Sequence, residues 1–211
     1  LELKPRQKMF GIFVASLVVY FLAGIKVREL SLPFLGHIQL GWWSFPLTIF
    51  WILALTNAVN LIDGLDGLAT GVTLISLVTM GIVGFFFLKS WQHYVPIMCI
   101  MLAACLLGFL PYNFHPAKIF LGDTGALYIG FMISVLSLKG LKNVTFVSLL
   151  VPILILGVPI TDTVYAMIRR KLNKKNISQA DKHHLHHQLM RMGLSHRQTV
   201  LAIYGISLIF S

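Results

Sequence analysis

Long apolar runs follow one another along this chain with little polar sequence between them. Six of these runs extend over Met9 to Ile25, Phe45 to Val59, Leu68 to Leu88, Tyr94 to Leu110, Gly125 to Leu138 and Val144 to Ile160. A helix needs about 20 apolar residues to cross hydrocarbon, and shorter runs can use flanking residues or tilt. Only 11% of residues are charged, against about 25% in an average soluble domain. These features predict an all-α, polytopic integral membrane helical bundle with about six full transmembrane helices.

A seventh apolar run, Thr199 to Ser211, has 13 residues, and the chain starts at Leu1 rather than Met. We interpret this run as a truncated seventh helix and the chain as part of a longer protein. Residues 1–211 contain neither a repeat nor a linker of domain length, so we expect one membrane-embedded domain. Between the first two runs, Gly36 to Gly41 alternates in polarity between glycines, which predicts a small hairpin.

The basic residues predict the orientation. If successive helices alternate in direction, twelve of the 17 Lys and Arg residues fall on one side, which the positive-inside rule makes cytoplasmic. The same side receives Asn60 to Gly67, Pro111 to Gly125 and Arg169 to Gln198. The net charge of +10 is spread along loop edges, which indicates contact with anionic lipid headgroups rather than nucleic acid. We therefore expect a multi-pass protein of the plasma membrane.

All five aspartates of the chain map to this cytoplasmic side: Asp63, Asp66, Asp123, Asp162 and Asp181. A carboxylate at the centre of a spanning helix costs about 2.5–3.5 kcal/mol even on insertion scales, so those that a membrane protein keeps are candidates for function. Asp162 lies near the inner end of the sixth run. It either belongs to a site or holds Arg169 or Arg170 in place, and both interpretations stay open.

The segment Asn60 to Gly67 is the first candidate motif. Asn60, Asp63 and Asp66 are spaced three apart, so a helical turn places their oxygen atoms on one flank, within reach of one cation or one substrate hydroxyl. Gly64 and Gly67 remove side chains where a nucleotide would approach the backbone. The alternative is a polar loop in which Asp66 caps the next helix.

A second motif surrounds Asp123, which follows Gly122 and precedes Thr124 and Gly125. A carboxylate at a helix start can cap the helix, and the neighbouring N–H groups can take an anion. A simple cap is the alternative. Asn113 is a weaker candidate partner, and Phe120 is either a stacking platform for a base or a core or lipid contact.

The third motif is a histidine run with four imidazoles in five residues, His183, His184, His186 and His187. Beside Lys182 and Arg191, these side chains can bind phosphate oxygens. A solvated helix end and metal ligation through nitrogen are the alternatives. Together the three motifs predict a cation-assisted phosphate site at a membrane surface.

These motifs together resemble the polyprenyl-phosphate N-acetylhexosamine-1-phosphate transferases. The resemblance rests on Asn57 to Ala69, Asn113 to Gly125, and Asp181 to His187 followed by Gly193 to Thr199. It implies transfer of a sugar 1-phosphate from a UDP-sugar to undecaprenyl phosphate, with release of UMP. It also implies Mg²⁺, or Mn²⁺ in its place, as cofactor.

Carried over residue by residue, the resemblance assigns roles at this site. Metal ligands would be Asp123 and Asn60. Substrate-binding residues would be Asn60, Gly64, Leu65, Asp66, Asn113 and Phe120, of which the last three serve the uridine end. Catalytic residues would be Asp63, Asp123, His184, His186 and His187, with the histidines facing the diphosphate or sugar.

The histidine run and the residues after it resemble the branch that uses UDP-N-acetylglucosamine for teichoic acid, O-antigen or common-antigen linkage units. The alternative branch uses UDP-N-acetylmuramoyl-pentapeptide for peptidoglycan. Family members also carry an Asp-Asp pair just before a stretch like Leu3 to Lys8, so we expect the active site to be incomplete without it. A cation or anion transporter and an inactive assembly subunit are the rival classes, and homodimer formation stays open.

Overall fold

The computed structural model describes residues 4–32, 36–87, 93–140, 189–190 and 192–211. Their helices are α1 (Pro5–Phe21), α2 (Ser44–Ile62), α3 (Leu68–Phe87), α4 (Tyr94–Asn113), α5 (Gly122–Gly140) and α6 (His196–Ile209). Two short strands, β1 (Glu29–Leu32) and β2 (Gly36–Gln39), pair antiparallel with Leu30 opposite Ile38, and a single 3-10 turn (Gly41–Trp43) leads into α2. The predicted helical bundle and the small hairpin are therefore both confirmed.

Three of the described helices are long and apolar enough to cross a membrane. These spans are Gly41–Ile62, Leu68–Phe86 and Tyr94–Asn113. Helix α1 has 17 residues and α6 has 14, so they measure about 26 and about 21 Å, less than the roughly 30 Å of a hydrocarbon core. The predicted polytopic helical bundle is therefore confirmed, with three of its spans among the described residues. The sixth run, 144–160, lies outside the described residues.

Local signals account for the helix ends. Helix α1 begins at Pro5, before the predicted Met9, because the fixed φ of proline suits a first turn. Helix α4 passes Pro111 and ends at Asn113, since a proline in the last turn removes only one ladder bond. Ser195 caps α6 as predicted, and it exchanges hydrogen bonds with Gln198 in a capping box.

The helices pack in neighbouring pairs. Helix α3 lies against α4, α2 against α5, α1 against α2, and α6 against the start of α3. Leu55, Val59 and Leu77 are almost fully buried where these pairs meet. Large apolar side chains such as Phe50 and Phe86 instead point outward and are exposed. A broad apolar outer surface is what a bundle presents to lipid.

Several helix ends and connecting loops meet at one end of this bundle, which we call the motif end. It comprises the start of α1, the end of α2, the loop 63–67, the loop 114–121, and the first turns of α5 and α6. Hydrogen bonds join α1 and α2 to α5, and a second set joins the two loops and α6. The predicted meeting of the first two motifs is therefore confirmed. The histidine run 183–187, Asp162 and Asp181 lie outside the described residues.

Candidate functional site

Asp123 connects three elements at the motif end. Gly122 begins α5 with a positive φ of 66°, which places Asp123 in the first turn of the helix. The Nδ2 of Asn60, from the last turn of α2, donates to Oδ1 of Asp123 at 3.0 Å. The Nζ of Lys8, from the first turns of α1, forms an ion pair with Oδ2. From the first turn of α5, Asp123 therefore contacts both α1 and α2.

The pKa values of Asp63 and Asp123 are shifted in opposite directions. Burial, together with the charge of Asp123, raises the pKa of Asp63 to about 6. Hydrogen bonds from Lys8 and from Asn60, with the positive charge of Lys8, hold the pKa of Asp123 below its usual range despite some burial. Asp123 is thus ionised near neutral pH. A positive charge placed beside Asp63 would favour the ionised form of Asp63.

The residues around Asp123 fit a hard divalent cation. Oxygen ligands with one or two carboxylates and several waters are the usual environment of Mg²⁺. Asp123 and Asp63 supply carboxylates, and Asn60 can present Oδ1 in place of Nδ2 by rotation of its amide. Burial and, second to it, the charge of Asp123 raise the pKa of Asp63, so a cation bound here would stabilise the ionised forms of both acids. A cation there would compete with Lys8 for Oδ2 of Asp123.

Asp66 makes a different set of contacts. Its Oδ2 lies 2.9 Å from Nδ1 of His115 and accepts the backbone N–H of Ala117 at 3.2 Å. Partial burial acts to raise the pKa of Asp66, but the bonds from His115 and Ala117 and the nearby His196 outweigh it and lower the pKa. Asp66 therefore ties the first motif to the loop after α4, rather than serving as a simple cap for α3.

Two histidines that the sequence interpretation did not single out stand next to Asp66. The rings of His115 and His196 stack with centroids 4.1 Å apart and planes 15° apart. The Nε of Arg197 donates to the carbonyl oxygen of His115 at 3.0 Å. The start of α6 is thereby fastened to the loop after α4.

Asn113 is a buried residue whose hydrogen bonds stabilise the loop of the second motif. It is only 2% exposed. Its Oδ1 accepts a bond from the hydroxyl of Thr70 at 2.6 Å, and its Nδ2 donates to the carbonyl of Ile119 at 3.0 Å. The adjacent Phe120 is 72% exposed. In this arrangement Asn113 shapes the loop that presents Phe120, and the predicted contact of each with a uridine stays a prediction.

The loop that carries Gly64 and Leu65 turns into α3 beneath Tyr204. Gly64 is exposed, whereas Leu65 is half-buried and packs against the core. Gly67 has a positive φ of 79°, and its carbonyl accepts the hydroxyl of Tyr204 from α6. A Cβ on Gly71 would lie 2.0 Å from that tyrosine ring. The close approach of α6 thus depends on glycine at this position.

Sequence reasoning missed four residues of the motif end, namely Lys8, His115, His196 and Tyr204. His115 and His196 lie inside stretches that carried the resemblance, and Lys8 lies in the stretch Leu3 to Lys8. None of the three had an assigned role or a spacing that related it to an acid. Tyr204 lies within an apolar run, and only its contact with Gly67 distinguishes it.

Comparisons with known proteins show the family of the chain. The sequence model of glycosyl transferase family 4 matches residues 1–141. The probable undecaprenyl-phosphate N-acetylglucosaminyl 1-phosphate transferase of Bacillus subtilis is 54% identical over 190 residues, which are 89% of this chain and 52% of that protein. The decaprenyl-phosphate N-acetylglucosaminephosphotransferase of Mycobacterium leprae is 35% identical over 92% of this chain and 53% of its own length.

A more distant relative is the phospho-N-acetylmuramoyl-pentapeptide-transferase of Listeria monocytogenes, which is 32% identical over 99% of this chain and 63% of its own length. The chain thus spans about half to two thirds of the curated relatives that it matches. The family match covers the first two motifs and the helices that carry them. On this evidence the chain belongs to glycosyl transferase family 4.

Proposed function

We propose that the intact protein transfers N-acetylglucosamine 1-phosphate from UDP-N-acetylglucosamine to undecaprenyl phosphate. The products are undecaprenyl-diphosphate-N-acetylglucosamine and UMP, and the reaction depends on Mg²⁺ or Mn²⁺. The observation that carries the proposal is the meeting of Asp123 with Asn60 and Lys8 at one end of a membrane bundle. Two anionic substrates, one of them a lipid, would have to meet at such a surface.

Phosphoryl transfer needs positioning and charge neutralisation more than covalent chemistry. Mg²⁺, when bound by Asp123 and Asn60, supplies positive charge to the phosphate oxygens. Lys8, once released from Asp123, is placed to pair with the same oxygens. Asp63 joins the site as a second carboxylate whose ionisation the cation favours, because opposite charge lowers the pKa of an acid.

The donor's uridine end is proposed to lie over the first two motif loops. Phe120 offers an exposed ring for stacking, and Gly64 leaves the backbone of its loop accessible. Asp66 and Leu65 lie in the same loop as Gly64, and Asn113 fixes the loop 114–121. From sequence alone, His184, His186 and His187 are assigned to the diphosphate or sugar.

The N-acetylglucosamine branch is favoured over the peptidoglycan branch by relatedness. The Bacillus subtilis relative, named for N-acetylglucosaminyl 1-phosphate transfer, is 54% identical, whereas the Listeria relative, named for the pentapeptide substrate, is 32% identical. The pattern of the histidine run supports the same choice. We also propose that the lipid-linked product is a precursor for the synthesis of teichoic acid or O-antigen.

The test is UMP release by the full-length protein in detergent with undecaprenyl phosphate and Mg²⁺. Each reaction contains either UDP-N-acetylglucosamine or UDP-N-acetylmuramoyl-pentapeptide, and EDTA or Mn²⁺ replaces Mg²⁺ in parallel samples. We expect release with the first donor alone, loss in EDTA and recovery with Mn²⁺. UMP release with the second donor alone would contradict the assignment to the N-acetylglucosamine branch. If folded protein releases no UMP with either donor, a transporter or an inactive subunit is favoured.

The motif end is proposed to face the cytoplasm. Gly64 is exposed at the motif end, whereas Trp42 is 97% exposed beside the hairpin that precedes α2. In a background with exposed Cys105 replaced by Ser, we expect Gly64→Cys to react with an impermeant maleimide only in inverted vesicles. Trp42→Cys should react only from the outer side, in cells whose plasma membrane is intact and whose outer layers admit the maleimide. The reverse pattern would contradict the proposed orientation.

A further inference from the structure

We propose that Asp66, His115 and His196 form a binding site for a divalent transition-metal ion of the zinc class. This site is separate from the oxygen-rich region at Asp123. Each of the three residues offers one donor atom, and the three donor atoms lie within 4.8 Å of one another. They come from three different elements, the loops after α2 and α4 and the first turn of α6, which meet at the motif end.

The donor atoms decide which ions the site would take. Two imidazole nitrogens and one carboxylate oxygen suit Zn²⁺, Co²⁺, Ni²⁺ and Fe²⁺, whereas Mg²⁺ takes oxygen ligands and water. The neighbouring group of Asp63, Asn60 and Asp123 contains only oxygen donors. The two groups therefore differ in the class of cation that each would select.

The separations are compatible with one ion between the three side chains. Zinc binds nitrogen at about 2.0–2.1 Å, so neighbouring donors around a tetrahedral ion are about 3.3 Å apart. The Nδ1 of His115 is 2.9 Å from Asp66, and the two rings stack with centroids 4.1 Å apart. The pair of His115 and Asp66 is already close to this spacing. The two rings would have to turn from their stacked arrangement, because the lone pair of an imidazole nitrogen lies in the plane of its ring.

An unsatisfied nitrogen supports the same conclusion. The Nε2 atom of His196 is buried, and it finds no hydrogen-bond partner among the residues that the structure describes. A buried polar atom without a partner is unfavourable, and a bound metal ion would use its lone pair. Stacking of two imidazole rings beside a carboxylate does not by itself satisfy this atom.

The surroundings hold the three donors in place. The N–H of Ala117 binds Asp66, Arg197 binds the carbonyl of His115, and the capping box of Ser195 fixes the first turn that carries His196. Such supporting contacts orient metal ligands and strengthen binding. Three protein donors also leave a fourth position for water or for an oxygen of another ligand.

The test is a Co²⁺ titration of the full-length protein in detergent. Binding is measured by visible d–d absorption and by elemental analysis of metal retained after gel filtration. Because the run 183–187 can itself bind Co²⁺, the titration uses a background in which its four histidines are replaced by Gln. The variants His196→Gln and Asp66→Asn are added to this background. His93→Gln is the matched control, because His93 precedes α4 at the end opposite to Asn113.

We expect the background to bind one equivalent of Co²⁺ and to lose affinity about tenfold or more with His196→Gln or Asp66→Asn. His93→Gln should leave the affinity unchanged. A background that binds no Co²⁺, or that binds it equally well after His196→Gln, would overturn the proposal. If the background does not fold, the same comparison is made with the run intact. His196→Gln must then remove one equivalent that His93→Gln retains, and equal stoichiometry would refute the site.

Discussion

The amide of Asn60 donates a hydrogen bond to the carboxylate of Asp123 at 3.0 Å, across 63 residues of sequence. This contact brings together the end of α2 and the start of α5. The two proposed cation ligands, Asn60 and Asp123, are thus adjacent through their own hydrogen bond. The assignment of both to one ion is therefore open to direct test by substitution.

Replacement of Asp123 by Asn keeps the shape of the side chain and removes its charge. In the full-length protein we expect UMP release to fall by at least about a hundredfold. The reason is that the weakened cation site would no longer neutralise the negative charge of the transition state. The thermal unfolding midpoint should change little, since Asp123 is largely exposed and exposed ion pairs contribute about 0–1 kcal/mol. Glu29→Gln, the same change in the hairpin, is the control. Near-normal turnover of Asp123→Asn would contradict the metal role.

The raised pKa of Asp63 predicts how pH affects stability. The folded protein binds this proton more tightly than the unfolded chain, with a pKa of about 6 instead of 3.8. Below pH 3.8 both states are protonated. As pH rises to about 6 the folded state loses relative stability, and above pH 6 the loss is complete. It amounts to about 1–3 kcal/mol after allowance for partial solvation.

Asp63→Asn should accordingly raise the unfolding temperature at pH 7.5 in EDTA and have little effect at pH 4. Mg²⁺ should reduce the benefit at pH 7.5, because a cation stabilises the ionised acid of the unaltered protein. The measurement is thermal unfolding in detergent at the two pH values. A benefit that is the same at both pH values would show that ionisation of Asp63 is not its cause.

Gly71→Ala should separate α6 from α3. The added Cβ would lie 2.0 Å from the ring of Tyr204, and such overpacking costs about 1–3 kcal/mol. Gly108→Ala in α4 is the matched control, because nothing lies within 4 Å of its added Cβ, and alanine favours a helix by about 1 kcal/mol. We expect opposite shifts in the unfolding temperature. Tyr204→Ala should relieve the loss if the clash is its cause.

Thr70→Val should disturb the loop 114–121 through Asn113. The change leaves the buried Oδ1 of Asn113 without its 2.6 Å donor, at a cost of about 1–3 kcal/mol. We expect a lower unfolding temperature and a higher KM for the UDP-sugar, with a smaller change in kcat. Thr79→Val is the control, since Thr79 only bonds a carbonyl within its own helix. An unchanged KM would separate this hydrogen bond from donor binding.

The bundle and its spanning helices follow from the pattern of apolar residues, because length and hydropathy are local properties. The meeting of the first two motifs also follows, since alternating helices bring both loops to one side. The first run, Met9 to Ile25, is displaced along the chain relative to α1, because Pro5 starts that helix earlier. The fifth run, Gly125 to Leu138, lies within α5.

The contacts of individual side chains at the motif end could not be predicted in this way. Lys8 looked like a residue of a basic loop edge, and nothing in its spacing related it to Asp123. His115 and His196 are 81 positions apart, and their stacking depends on how α6 lies against α3. Such pairings arise from tertiary packing, which a periodic pattern does not encode.

The ion pair between Lys8 and Asp123 has a consequence for how the protein would behave between rounds of the proposed reaction. An ammonium group already balances the carboxylate, so removal of divalent cations by a chelator leaves no bare charge to weaken the fold there. We accordingly expect the protein to stay folded at this point when it is purified in chelator. In the proposed reaction, Lys8 would return to Asp123 when the cation leaves with the nucleotide, and a new cation would displace it in the next round.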